Sequence, residues 1–137
     1  MESTAYYHNK LKILREAIEG FVKVLKVDLS DKTFFEQDVY KNASVQKFEY
    51  CIELFWKVAK LYLSIYKGIE ESSPKDVIKS FFRQTELSEQ QYEALIQMIT
   101  HRNLLSHLYD SKQFEEILAH FSGHGRVLME VLEFFPT

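Results

Sequence analysis

Apolar residues recur in steps of three and four along most of this 137-residue chain. The clearest run lies near the amino terminus, and its members share one helical face: Tyr7, Leu11, Leu14, Ile18, Phe21, Val22 and Leu25. Such spacing is typical of an amphipathic α-helix with one buried side. With only 4 glycines and 2 prolines, the chain has too few turn formers for a many-stranded β fold. The pattern therefore predicts an all-α protein.

Four more segments carry helical signals. A long second helix is predicted from about Val45 to Tyr66, with Gly68 at its end, whereas residues 27–42 break the pattern and are interpreted as a loop. Capping signals predict the starts of three further helices, at Ser73-Pro74, at Ser88 with Gln91, and at Asp110 with Gln113. Residues 122–125 (SGHG) are expected to kink or interrupt the fifth helix. The prediction is an antiparallel up-and-down bundle of about five helices.

Composition limits the class of protein. A hydrophobic fraction of 46% is enough for a core, and we expect residues 1–137 to form a single domain. The net charge of -3 provides no global basic field for nucleic acid. Cys51 is the only cysteine, so an intrachain disulfide is impossible, and a buried thiol is expected. Without a secretory leader pattern or a bilayer-length apolar run, we expect a cytoplasmic protein that does not contact membrane.

The fourth helix contains the unusual feature of the sequence. Its apolar ladder ends at Ile99, and the next positions at helical spacing are polar: Arg102, Asn103, Ser106 and His107. Tyr109 would share a face with Arg102 if the helix continued that far. A polar stripe in place of a core stripe needs either solvent or hydrogen-bonded partners.

Two interpretations of this stripe follow from the residue types. In one, the helix emerges from the core, Arg102 is solvated and His107 interacts with the carbonyls at the helix end, so that the motif is structural. In the other, Arg102 stabilises charge on phosphorus, His107 relays a proton and Asn103 orients them, as metal-independent cleavage of RNA would require. Because the stripe has one histidine, a two-fold dimer would place a second His107 in the same cleft.

Segment 102–110 (RNLLSHLYD) resembles the Arg-x4-His-x-Tyr signature of HEPN proteins that accompany minimal nucleotidyltransferases. Segment 45–57 (VQKFEYCIELFWK) resembles the second helix of nucleotidyltransferase substrate-binding proteins, and residues 73–82 resemble the start of their third. The likeness runs in order from residue 6 to 135. Leu108 and Cys51 stand where threonine is frequent in the family.

The resemblance implies a homodimeric helical bundle with a separately encoded minimal nucleotidyltransferase as its partner. It implies a toxin whose ribonuclease motif contains Arg102 and His107, and which the partner silences by transferring AMP to Tyr109. The older family name implies instead a non-catalytic subunit that presents substrate to the transferase. The resemblance supports both roles.

Two other residue clusters are better explained as structural features than as metal-binding or catalytic sites. His120 and His124 have the spacing of paired metal ligands but lack acidic companions, so no metal site and no cofactor are predicted. Glu49 and Glu53 lie one turn apart and could hold Lys57 or a partner's cation, and a surface salt-bridge ladder is favoured over catalytic carboxylates.

Overall fold

The computed structural model describes residues 3–108 and 110–137, and its regular elements are all helical. Within these ranges there are six α-helices and one 3-10 turn: α1 Thr4–Leu25, α2 Phe34–Lys67, α3 Pro74–Gln84, α4 Glu89–Leu105, α5 Ser111–Leu118, α6 Phe121–Val131 and η1 Leu132–Phe134. The prediction of an all-α bundle is therefore confirmed.

The helices pack around one hydrophobic cluster. Helix α1 lies against α2 and α6, while α3 lies against both α2 and α4, and α4 also contacts α6. The apolar face predicted for α1 is buried, with Tyr7, Leu14, Ile18 and Phe21 fully inaccessible to solvent. Each such side chain contributes about 1.5–3 kcal/mol by leaving water. None of the helices formed by the described residues is both long and apolar enough to cross a bilayer.

Capping residues fix the helix starts that position the candidate site. Ser73 accepts a hydrogen bond from the Asp76 N–H with Pro74 in the first turn, and Ser88 and Gln91 form the predicted capping box. The Asp110 carboxylate accepts from the Lys112 N–H and begins α5. The three predicted starts are confirmed.

Two predictions about helix limits were wrong. The stretch 27–42 is not a loop throughout, because α2 begins at Phe34 after a capping box between Thr33 and Glu36. The interruption between α5 and α6 lies at Ala119 and His120 rather than at residues 122–125, which belong to α6. A Cβ on Gly125 would lie 3.3 Å from a Val22 methyl, so this glycine permits close packing on α1.

Candidate functional site

Arg102 lies in the last turn of α4 and is held by a carboxylate from α2. Its Nη2 is 3.0 Å from Glu53 Oε2, and the Arg102 side chain is 37% exposed. The Nε atom of Arg102 is buried and has no hydrogen-bond partner among the described residues. Arg102 therefore uses one edge of its guanidinium for an ion pair and keeps a donor that no described protein group satisfies.

Glu53 is the centre of a small polar network. Its Oε1 lies 3.2 Å from Lys57 Nζ one turn along α2, as expected for a salt-bridge ladder. Its Oε2 also accepts a hydrogen bond of 3.3 Å from Trp56 Nε1. Burial opposes ionisation, but the bonds from Trp56 and Lys57 and the charge of Arg102 outweigh it and lower the pKa of Glu53. Glu53 is thus a carboxylate at neutral pH.

Arg102 and Asn103 line a cavity of about 250 Å³ beside the start of α3. The remaining wall is formed by α2, α3 and α4 through Trp56, Ser73, Pro74, Lys75 and Ile99. Two cationic residues, Arg102 and Lys75, line this cavity beside the amino terminus of α3, whose partial positive charge favours anions. The chemistry of this cavity suits an anion such as a phosphate group.

His107 is not one of the lining residues of this cavity, although it belongs to the described part of the chain. Helix α4 ends at Leu105 with Ser106 as its C-cap, and His107 follows in an exposed turn whose backbone N–H donates to the Leu104 carbonyl at 2.9 Å. The prediction of one continuous helical stripe from Arg102 to His107 was therefore wrong. The structure brings Arg102 and Asn103 together, but it places His107 outside their helix.

Tyr109, the predicted modification site, lies outside the residues that the structure describes. Its chain neighbours Leu108 and Asp110 belong to the connection between α4 and α5.

Sequence reasoning missed two features of this region. Glu53 was assigned to a surface salt-bridge ladder within α2. Its Oε2 also pairs with Arg102 of α4, which lies 49 residues later in the sequence. His101, next to Arg102, is buried at 8% exposure, and its Nδ1 lies 2.9 Å from Nε2 of buried His124. Helical spacing gave no signal for either feature, because each contact joins residues of two different helices.

The rings of His101, His120 and His124 pack against one another. His120 approaches both rings of the pair, with centroids 5.1 Å from His101 and 5.9 Å from His124. Among residues 3–108 and 110–137, no three His, Cys, Asp or Glu side chains are arranged to hold a metal ion. The Cys51 thiol is buried as predicted, and desolvation raises its pKa to about 12.

These features define the class of protein: it is a helical bundle with a cleft between α2, α3 and α4 that two cationic residues line. Residues 7–125 match the family model described as nucleotidyltransferase substrate binding protein like. Because that match covers most of the sequence, the chain belongs to this family.

A solved structure agrees with the family match. The crystal structure of a protein from Thermus thermophilus is similar to this one, with a TM-score of 0.76 and 26% sequence identity. The similarity covers 88% of this chain and 96% of the Thermus chain. Among curated proteins, no sequence matches this chain.

Proposed function

We propose that this chain is the HEPN-type half of a two-protein system, in which a separately encoded minimal nucleotidyltransferase is its partner. In this proposal the chain is a metal-independent ribonuclease toxin, and transfer of AMP to Tyr109 silences it. The observation that carries the proposal is the cleft at the start of α3 that both Arg102 and Lys75 line. A phosphate group in that cleft would find two cations and a helix amino terminus.

Each predicted residue has a separate task in this mechanism. Arg102 stabilises the charge that develops on the phosphodiester, and Asn103, which lines the same cavity, orients the catalytic side chains. His107 relays the proton between the attacking and leaving oxygens. Because His107 is outside the cavity of its own copy, a homodimer that brings the partner copy's turn to the cleft would complete the site.

Modification of Tyr109 would act through charge and bulk. An AMP group adds at least one negative charge close in sequence to Arg102. The guanidinium could pair with this phosphate in place of substrate, and the nucleoside would obstruct the cleft. The transferase would thereby convert an active ribonuclease into an inactive one.

The first experiment measures cleavage of single-stranded RNA in the presence of a metal chelator. Arg102→Ala and His107→Ala should each abolish cleavage by the purified protein while keeping its helical circular dichroism. Arg126→Ala and His8→Ala are matched controls, because both side chains are exposed on other helices. Cleavage by either site variant at the wild-type rate would refute the catalytic assignment.

The second experiment tests the silencing step. After incubation with the transferase and ATP, the tryptic peptide 103–112 should gain the mass of one or more AMP units, and Tyr109 is its only tyrosine. Tyr109→Phe should escape both modification and silencing, whereas Tyr50→Phe, at a site 54% exposed, should behave as wild type. Modification at another residue would reject this mechanism.

A second candidate function is a non-catalytic subunit that binds substrate for the transferase. Two observations favour it: Glu53 already neutralises part of the charge on Arg102, and His107 is absent from the described wall of the cavity. This candidate predicts no RNA cleavage by the chain alone, but formation of a stable complex with the transferase and an altered KM of that enzyme for its acceptor.

A further inference from the structure

Helix α5 is the shortest α-helix formed by the described residues, and it contributes little to the core. Ile117 is the one residue of α5 that is buried, and Leu118 is half-buried against the core, whereas α6 buries five residues. An isolated helix of fewer than about 12–15 residues is marginal in water. The eight residues of α5 therefore depend on contacts with the rest of the chain to stay helical and in place.

The space between α5 and α2 is loosely packed. One cavity, of about 410 Å³, is lined by residues of these two helices, among them Phe114 of α5. Another, of about 300 Å³, lies between α5, α2 and the end of α1, and Leu118 forms part of its wall. Side chains that face a cavity lose the dispersion contacts that close packing provides. Packing against α2 therefore holds α5 only weakly.

A single ion pair crosses this gap. Lys41 Nζ of α2 lies 3.0 Å from Glu115 Oε1 of α5, and both residues line both cavities. Within residues 3–108 and 110–137, it is the only side-chain hydrogen bond or salt bridge that joins α5 to another helix. The two side chains are 34% and 54% exposed, so solvent and salt weaken the attraction between them.

The two ends of α5 place few restraints on its movement. At the carboxyl end, only Ala119 and His120 separate α5 from α6, and no side chain caps the start of α6. At the amino end, the Asp110 carboxylate accepts from the Lys112 N–H, a local bond that can move with the helix. Rotation at Ala119 and His120 would thus carry α5 away from α2 without breaking a buried polar network.

We propose that α5 is a strap, a segment that separates from α2 and returns as a unit while the other helices stay packed. The ion pair between Lys41 and Glu115 favours the closed position. Regions with few buried apolar contacts are those that open locally in native proteins. The strap goes beyond the function proposed above, because its movement requires neither RNA nor a transferase.

Opening of the strap has a consequence for the candidate site. His107 lies in the exposed turn that follows α4 and precedes α5. When α5 separates from α2, this turn loses its restraint on one side, and His107 gains the freedom to approach the cleft that Arg102 lines. This consequence rests on the ribonuclease function proposed above, whereas the strap itself does not.

The test follows amide hydrogen exchange of the purified full chain by mass spectrometry. After correction for intrinsic rates, amides of α5 should exchange at least about tenfold faster than those of α6. Glu115→Gln removes the ion pair and should speed exchange in α5 further, but not in α6. Glu116→Gln removes the same charge from the next position, which is exposed and has no salt bridge among the described residues, and should match the wild type.

Salt provides a second arm of the same experiment. Between about 0.1 M and about 1 M salt the Debye length falls from about 10 Å to about 3 Å, so the ion pair is screened. Exchange in α5 should therefore become faster in the wild type and stay unchanged in Glu115→Gln.

A covalent lock tests the consequence for the site. The double variant Lys41→Cys and Glu115→Cys is joined by a short bis-maleimide, and Cys51 is buried and should not react. The lock should slow exchange in α5 and lower the rate of RNA cleavage. The control is the same double variant with each thiol blocked by a maleimide that has one reactive group.

The outcomes separate the strap from the ribonuclease function. Exchange in α5 as slow as in α6, equal acceleration in Glu116→Gln, or no effect of salt on the wild type would overturn the strap. Cleavage at the control rate in the locked protein would overturn its consequence for the site. A wild-type chain that cleaves no RNA would refute the ribonuclease proposal, while the exchange rates would still decide whether α5 opens.

Discussion

His124 stacks on Phe48 with ring centroids 5.6 Å apart and is only 3% exposed. Burial lowers the pKa of His124 to about 3, and repulsion from His101 and His120 adds to this effect. Burial also lowers the pKa of His101, with His120 as a further cause. When both rings are neutral, an N–H of one ring can donate to the bare nitrogen of the other across the 2.9 Å contact, but burial disfavours a positive charge on either ring.

Acid should therefore destabilise this protein through the buried pair. Unfolded histidine takes up a proton near its ordinary pKa of about 6.5, whereas folded His124 stays neutral until about 3. Between these values the unfolded chain binds more protons, so the free energy of unfolding falls as the pH falls. Chemical denaturation at about pH 7 and about pH 5 measures the loss.

Two variants isolate the source of that loss. His124→Gln should have a lower free energy of unfolding than the wild type at neutral pH. That free energy should fall less on acidification, because glutamine does not titrate. His8→Gln alters an exposed histidine, and its stability should fall on acidification by as much as that of the wild type. An unchanged acid loss in His124→Gln would assign the effect to other groups.

The residues of the candidate cleft were only partly predictable from sequence. Arg102 and Asn103 were found because they replace apolar residues on a regular ladder. The ion pair of Arg102 with Glu53 joins two helices, and helical spacing contains no information about contacts between helices. His107 was placed on the wrong element because the pattern alone did not show that α4 ends at Leu105.

At the scale of elements, the start of α2 is the main departure from expectation. Phe34 and Phe35 are 88% and 73% exposed, so this segment has no buried stripe to produce a helical pattern. It is held instead by its capping box and by Gln37, whose side-chain amide donates to the carbonyls of Leu29 and Lys32. Periodicity detects buried faces, and the buried helices were found for that reason.

Two glycines with open surroundings should respond to alanine in opposite directions. Gly68 ends α2 with φ of 64°, a left-handed conformation that a Cβ disfavours, so Gly68→Ala should lower the free energy of unfolding by about 1 kcal/mol. Gly123 lies inside α6, and Gly123→Ala should raise stability by about 0.5–1 kcal/mol. A Cβ at either position would have no described atom within 4 Å, so packing does not interfere.

Urea denaturation of both variants checks this prediction against the wild type. Since neither substitution touches a charged or buried side chain, the slope of the transition should stay unchanged. Destabilisation of both proteins by equal amounts would contradict the assigned backbone effects.

For the whole molecule, we expect a dimer through α4 and its neighbour, because no histidine is among the described residues that line the cleft. Leu104, near the end of α4, is 40% exposed, and Leu104→Glu should convert the dimer to a monomer. Light scattering at tens of micromolar measures the mass. Phe35→Glu tests the competing apolar surface at the start of α2 and should leave the dimer intact.

The opposite result for these two variants would place the dimer interface elsewhere. If Phe35→Glu is monomeric and Leu104→Glu dimeric, the copies associate through the start of α2. His107 of the second copy would then have no route to the cleft through the α4 face, and the substrate-binding role would be favoured over catalysis.

The contact of Tyr7 with Pro136 also has a kinetic consequence. The Tyr7 hydroxyl donates to the Pro136 carbonyl at 2.9 Å across 129 residues of chain. Helices α1 and α2 are consecutive and can meet early, whereas this bond must await closure of nearly the whole chain, which costs entropy. In stopped-flow measurements, Tyr7→Phe should therefore speed unfolding and leave the refolding rate almost unchanged, since the bond forms after the transition state.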